Sequence, residues 1–232
     1  MTSRSYQLEI DKSLNPCPAV LALILGEGIR PPAVSSDPPQ FLARTLRETL
    51  EKGENAVPLE VRQRVRKILR HGKYKPSGRS KPASEFLLQA ALSGSFPLVN
   101  EPVDVNNAIS LDSGFPGSIF DTDLAGNRLL IRRGLPGEAY IFNPSGQTID
   151  LQDLLLVCRA TDAGWEPCGN PVKDAMITKI SADTANVIAV LYAPGDESIA
   201  SLERWASRYA DLLHEHCGAS NCGFSIVSTR AP

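Results

Sequence analysis

Residues 6–10, "YQLEI", alternate apolar and polar side chains, the period of a strand with one face against a core. "AVLALILGEGI" at 19–29 is instead a continuous apolar run ended by glycines, which reads as a buried strand. The period then changes. After the breaker "SSDPPQ", the segment "FLARTLRETLEKG" sets Leu42, Leu46, Thr49 and Leu50 on one helical face, with Gly53 where a C-terminal glycine belongs. A second predicted helix, Leu59 to His71, turns Val61, Val65, Ile68 and Leu69 inward and its arginines outward, and a third covers Ala83 to Leu92, closed by Gly94. Asp104 is placed to N-cap a short helix that ends near Ser113. Beyond it the pattern is rich in short strands, "RLLIRR", "EAYIF", "LLLVCRA" and "ANVIAVLYA", with turns such as "PSGQ" and "TDAGWEPCGNP" between them. Glu197 to His216 reads as a long helix with Ile199, Leu202, Ala206, Tyr209 and Leu213 as its buried stripe, and "FSIVS" as a final strand. Helices, then strands, then a helix predict an α+β fold rather than regular βαβ alternation.

A chain of 232 residues with 42% hydrophobic content can bury a real core. No run reaches the ~18 apolar residues of a membrane span, and the start has no signal or transit pattern, so a cytoplasmic protein is expected. Five scattered cysteines do not make a disulfide framework. The net charge of -2 hides an asymmetry: Val61 to Ser84 contains no acid and nine of the 24 cations. Such a block draws a polyanion through its local field and counterion release, although a solvated basic helix and loop would have the same composition.

Other motifs change the picture little. "HEHCGASNC" at 214–222 resembles a metal cluster, but His214 and His216 lie two apart on a helix and face different ways, so no metal site is expected. Asp121-Thr122-Asp123 reads more readily as a turn than as a magnesium site. "GKYKPSGRS" has the wrong spacer for a phosphate loop. Ser118 lies in no nucleophile elbow and has no histidine near it in sequence. Hydrolysis of an already activated ester needs only a bound water and donors aimed at the developing oxyanion, which backbone amides of a glycine-rich turn can supply.

The stretch "VDVNNAISLDSGFPGSIFDTDLAGNRLLIRR", with "PGEAYIF" and "TKISADTANVIAVLYA", resembles the B3/B4 domain of the phenylalanyl-tRNA synthetase β subunit. Asp104, Asn107, Leu111, Gly114, Pro116, Phe120, Asp121, Gly137, Glu138, Thr184, Asn186 and Val187 carry the likeness in order. The basic loop before it is similar to that of freestanding relatives of the domain. The resemblance implies one B3/B4-like domain over 1–232: a strand and helix part with the basic loop at 1–95, the core motif at 96–195, and a C-terminal helix and strand at 196–232.

It also implies an editing hydrolase that takes the aminoacylated 3′ end of tRNA, without metal or cofactor, with a synthetase as a further partner. Asn107, Ser118 and Glu138 would position the substrate ammonium or a water, and backbone around Gly114 and Gly117 would hold the oxyanion. Phe115 or Phe120 would read the aminoacyl group in a pocket completed by Pro116, Asp121, Thr184 and Asn186. Arg66, Arg70, Lys73, Lys75, Arg79 and Lys81 would hold RNA phosphates. Ser118 and Val190 stand where tyrosine-editing relatives carry His and Glu, and "EPCGNPVKDAM" replaces a Trp-Arg-Gln-like segment. A non-catalytic tRNA-binding or synthetase-associated module, and a small-molecule binder, are the alternatives.

Overall fold

The computed structural model describes residues 6–34 and 36–229. In chain order the elements are β1 (Gln7–Ile10), β2 (Ala19–Glu27), α1 (Gln40–Lys52), α2 (Leu59–Leu69), α3 (Ala83–Leu92), α4 (Glu101–Ser113), β3 (Gly117–Asp121) and the single turn α5 (Thr122–Ala125). They continue with β4 (Arg128–Arg133), β5 (Ala139–Ile141), β6 (Thr148–Asp150), β7 (Leu155–Thr161), β8 (Gly164–Gly169), β9 (Asn186–Pro194), α6 (Ile199–Cys217) and β10 (Asn221–Val227). The fold is α+β.

Two four-stranded sheets lie face to face. One has the order β10-β2-β9-β3 and is antiparallel throughout; the other has the order β1-β4-β7-β8 and is antiparallel except for β1 against β4. A separate β5-β6 ribbon stands beside them. The unbroken apolar runs of β2 and β9 follow from this layering, because each strand has a core on both faces. Val20, Ala22 and Ile24 pack with Leu42, Val65, Ile109 and Leu213 from the helices. Leu21 and Leu23 turn the other way, toward Leu129, Ile131, Leu155 and Val157 of the second sheet.

The predicted helices form, with local corrections. In α1 the buried side is Phe41, Leu42, Thr45 and Thr49, while Leu50 is exposed. Thr45 belongs inside because its hydroxyl donates to Asp112 at 3.0 Å. The N-cap of α4 is Asn100, whose side chain accepts from Val103 N; Asp104 lies one turn further in and its carboxylate reaches back to Val99 N at 2.9 Å. At the start of α6, Ile199 is exposed and only the rest of the predicted stripe is buried. "GWEPCG" is the edge strand β8 rather than part of a turn, and "GSIFD" and "TID" are strands that the pattern did not mark. No helix among the described residues is long and apolar enough to cross a membrane. Nor do they hold a His/Cys/Asp/Glu group able to bind a metal; His214 Nδ1 lies 2.8 Å from Ala219 O, and the cysteines are free.

Candidate functional site

Helix α4 presents two adjacent asparagines to different surroundings. Asn106 is buried, accepts from Tyr209 Oη at 3.0 Å and donates to Gly117 O at 3.3 Å, so it ties α4 to α6 and β3. A Cβ at position 117 would stand 2.4 Å from Asn106 Oδ1, which is why β3 begins on glycine. Asn107, one helical step on, is half-buried and opens on a cleft of about 190 Å³ between α4, the start of β3 and residues 170–180. The side chain of Asn107 makes no hydrogen bond to another described residue, its backbone being part of the α4 helix. The cleft also holds Ile119, Asn170, Asp174 and Lys179.

Asp174 is the unusual group of this cleft. One carboxylate oxygen accepts from Ile119 N at 3.2 Å, while Oδ1 is buried without a partner. Burial pushes its carboxyl up to about 6, against the opposing pull of Lys179 and its hydrogen bonds. The backbone that carries it is fixed by Asn170, whose Oδ1 accepts from Val172 N and Lys173 N at 2.7 and 3.0 Å and whose Nδ2 donates to Tyr140 Oη. An unbonded amide, a carboxyl that titrates near neutrality and an ammonium group can together orient a carbonyl, take a proton from water and offset developing negative charge.

A larger groove of about 990 Å³ runs between the 73–80 loop and the β5-β6 ribbon. Lys73, Lys75, Arg79 and Lys173 line it, with Phe142, Gln147 and Asp150. Lys173 also lines the cleft, so the two cavities share a wall. The basic block of the sequence divides here. Its helical arginines are paired: Arg62 with Glu54, Arg64 with Asp196 and Glu197, and Arg66 with Glu85. The side-chain charges of Lys73, Lys75 and Arg79, by contrast, have no carboxylate partner among the described residues, although the Lys73 backbone N–H donates to Asp153 at 2.8 Å.

The B3/4 domain model matches residues 77–212, a span that runs from before α3 into α6 and contains every cleft residue. The chain belongs to the B3/4 domain family. A solved structure with a similar fold is an N-terminal fragment of the phenylalanyl-tRNA synthetase β-subunit from Pyrococcus horikoshii. It is 11% identical, with a TM-score of 0.48, and the match covers 99% of this chain and 56% of that one, so the chain spans little more than half of its length. No curated protein matches the chain.

Within this B3/4 domain, Asn107 and Gly117 are the expected site residues that meet at the cleft. Ser118 does not line the cleft. It is wholly buried in β3, in register with Val190, and its Oγ lies 3.0 Å from Tyr192 Oη and 3.4 Å from Asn170 O. Strand alternation turns Ser118 and Phe120 to the sheet–sheet core, and Phe115 is buried in the helical core. Gly114 is the left-handed C-cap of α4, and a Cβ there would point at Val57 and Val61 rather than into the cleft. Pro116 is buried, with its carbonyl accepting from Tyr192 N.

Asp121, Thr184 and Asn186 form braces: Asp121 caps α5 and accepts from Thr184 Oγ1 at 2.6 Å, and Asn186 Oδ1 accepts from Gly28 N. Glu138 is held by Arg132 at 2.6 and 2.8 Å and by Leu135 N. Burial works against its charge, yet these partners keep its carboxyl below the ordinary range. Arg70 and Lys81 flank the loop without lining the groove, and Arg66 is occupied by Glu85. Asp174, Lys179 and Lys173 come from "PVKDAMITK", a segment outside the strands and α-helices whose only sequence signal is three charges set among mostly apolar residues.

Proposed function

We propose that this B3/4 protein binds the aminoacylated 3′ end of tRNA and hydrolyses a mischarged aminoacyl ester in trans, in the cytoplasm. The observation that carries this reading is the shared wall: a cleft with an unbonded Asn107 amide and Asp174 opens beside a groove whose cations lack carboxylate partners. The aminoacyl ester enters the cleft while the RNA backbone lies along Lys73, Lys75 and Arg79. Asn107 donates to the ester carbonyl, and ionised Asp174 takes a proton from the attacking water. The tetrahedral intermediate then expels the ribose oxygen, which recovers the proton, leaving free amino acid and tRNA. A carboxyl at about 6 suits this work at neutral pH, being ionised and still basic. Lys179 offsets the charge that develops on the carbonyl oxygen.

The placement of Ser118 and Glu138 favours a second reading, a non-catalytic tRNA-binding or synthetase-associated module. Two of the three side chains that family likeness puts at the chemistry, Ser118 and Glu138, are held by Tyr192 and by Arg132. The test is a panel of tRNAs, each charged with one amino acid, incubated with the wild-type protein. Accelerated loss of one or a few esters is expected; binding without any acceleration selects the non-catalytic module.

A further inference from the structure

The two four-stranded sheets have four outer strands, β10 and β3 in one and β1 and β8 in the other. Three of these edges are engaged or blunted. The outer side of β3 meets the 170–180 segment, where the Asp174 carboxylate accepts from Ile119 N. Strand β8 carries Glu166 and Pro167, and β1 is four residues long with Glu9 among them. Charge, proline and shortness are the features by which a sheet edge avoids pairing with another chain. Strand β10 has none of them. It is seven residues long, "NCGFSIV", and from Cys217 to Thr229 the chain holds no Asp, Glu, Lys, Arg or Pro. That is the composition of an interior strand, yet among the described residues only β2 pairs with it.

The side chains of β10 alternate between two faces. Cys222 and Ile226 pack at the margin of the helical core, to which α6 also belongs, and Val227 packs at the margin of the sheet–sheet core. Strand alternation puts Phe224 on the face of Cys222 and Ile226, where it is 41% exposed. The apolar series Cys222, Phe224, Ile226 is symmetric about its middle member. If a second β10 runs antiparallel to the first about a two-fold axis beside Phe224, Phe224 meets the partner's Phe224, Cys222 meets the partner's Ile226, and Gly223 meets the partner's Ser225. Apolar groups then face apolar groups on one side of the sheet, with no like charges opposed.

We propose that β10 is a dimerisation edge, at which a second copy of this chain pairs antiparallel and joins two β10-β2-β9-β3 sheets into one of eight strands. The occupant is a second copy because the strand complements itself in this register, whereas a partner selected by charge would find no charge on β10 to recognise. Pairing also satisfies the backbone N–H and C=O groups along the open side of the strand. The strand order places β3, with the cleft beside it, at the opposite edge of the sheet, so the two clefts lie at the far ends of the joined sheet. The proposal does not depend on the hydrolytic reading.

Sedimentation equilibrium of the purified chain over a concentration series tests it. The wild type should approach twice the monomer mass as concentration rises. Phe224→Lys should raise the dissociation constant at least about tenfold, because two ammonium groups then meet at the axis, with the far-ultraviolet circular dichroism unchanged. Ile226→Cys gives an independent reading. Mild oxidation should join its new thiol to the partner's Cys222 in a covalent dimer, and adding Cys222→Ser should abolish that link. Within one chain the two positions are four residues apart on an extended strand, about 13 Å, too far for a disulfide. A monomer at every concentration would leave this edge to a different chain and overturns the proposal. So does a dimer that Phe224→Lys leaves intact or that Ile226→Cys does not cross-link, and so does a cross-link that persists without Cys222.

Discussion

Arg66 separates a structural cation from an RNA-binding one. Its guanidinium makes a two-pronged contact with Glu85, whose side chain is only 5% exposed at the start of α3, whereas Arg66 itself is 35% exposed. Arg66→Ala would leave a buried carboxylate without its partner. Breaking a buried pair from one side costs about 3–5 kcal/mol, and the open side of this pair reduces that to about 2–4 kcal/mol. For a chain of this size the melting temperature should fall by about 4–16 °C, at about 2–4 °C per kcal/mol. Glu85→Gln should cost less, since the exposed arginine can turn to water.

Urea unfolding of Arg66→Ala, Glu85→Gln and the double variant, with Arg70→Ala and Lys75→Ala as surface controls, measures the coupling directly. The two controls should stay within about 0.5 kcal/mol of wild type. The reasoning is refuted if Arg66→Ala leaves the unfolding midpoint unchanged and lowers tRNA affinity as strongly as Lys75→Ala does. In that case Arg66 belongs to the RNA face.

Other expectations follow from the same contacts. Burial raises the Asp104 carboxyl to about 6 from 3.8, so the folded chain keeps a proton that the unfolded chain has lost; the associated stability is full below 3.8 and declines as pH rises through about 6. Asp104→Asn should therefore stabilise the protein at neutral pH by about 1–3 kcal/mol and flatten part of that decline in a pH series of urea midpoints. Gly114→Ala, at φ +74° with a Cβ 2.6 Å from Val57 Cγ1, should cost about 1–3 kcal/mol in thermal unfolding while leaving the activity of each folded molecule intact. Ser118→Ala removes the partner of buried Tyr192 Oη, and calorimetry should show a loss of about 1–3 kcal/mol with tRNA affinity preserved.

What the sequence disclosed follows from where its residues lie. The runs of β2 and β9 were legible because both faces of each strand are buried, and α2 because one apolar stripe faces the core. Strand β3 was not: it is five residues long, begins on glycine directly after Gly114-Phe115-Pro116, and is buried on both faces with polar Ser118 and Asp121 among its residues, so neither alternation nor length marks it. Strand β8 contains Pro167, which a sheet edge tolerates and a central strand does not, and this made it read as a turn. The parallel pairing of β1 with β4 joins segments more than a hundred residues apart, which no local period encodes.

At the site, the family resemblance singled out Asn107, yet Asn106 and Asn107 cannot be told apart by type; only the approach of Gly117 and Tyr209 shows that Asn106 is the one tied into the fold. The cations of the basic block look alike in sequence. Glu85 and Glu197, which neutralise two of them, come from other helices or their approach and have no fixed spacing to the arginines.

The central claim is hydrolysis at the Asn107–Asp174 cleft, and single-turnover deacylation of the most responsive aminoacyl-tRNA tests it most directly. Wild type, Asn107→Ala and Asp174→Asn should be compared across pH. The account predicts a wild-type rate that rises through about pH 6, as Asp174 ionises, and then levels. Both variants should lose about a hundredfold or more while still binding tRNA, and Asp174→Asn should lose the rise. Variants that deacylate at the wild-type rate with the wild-type pH profile would contradict it.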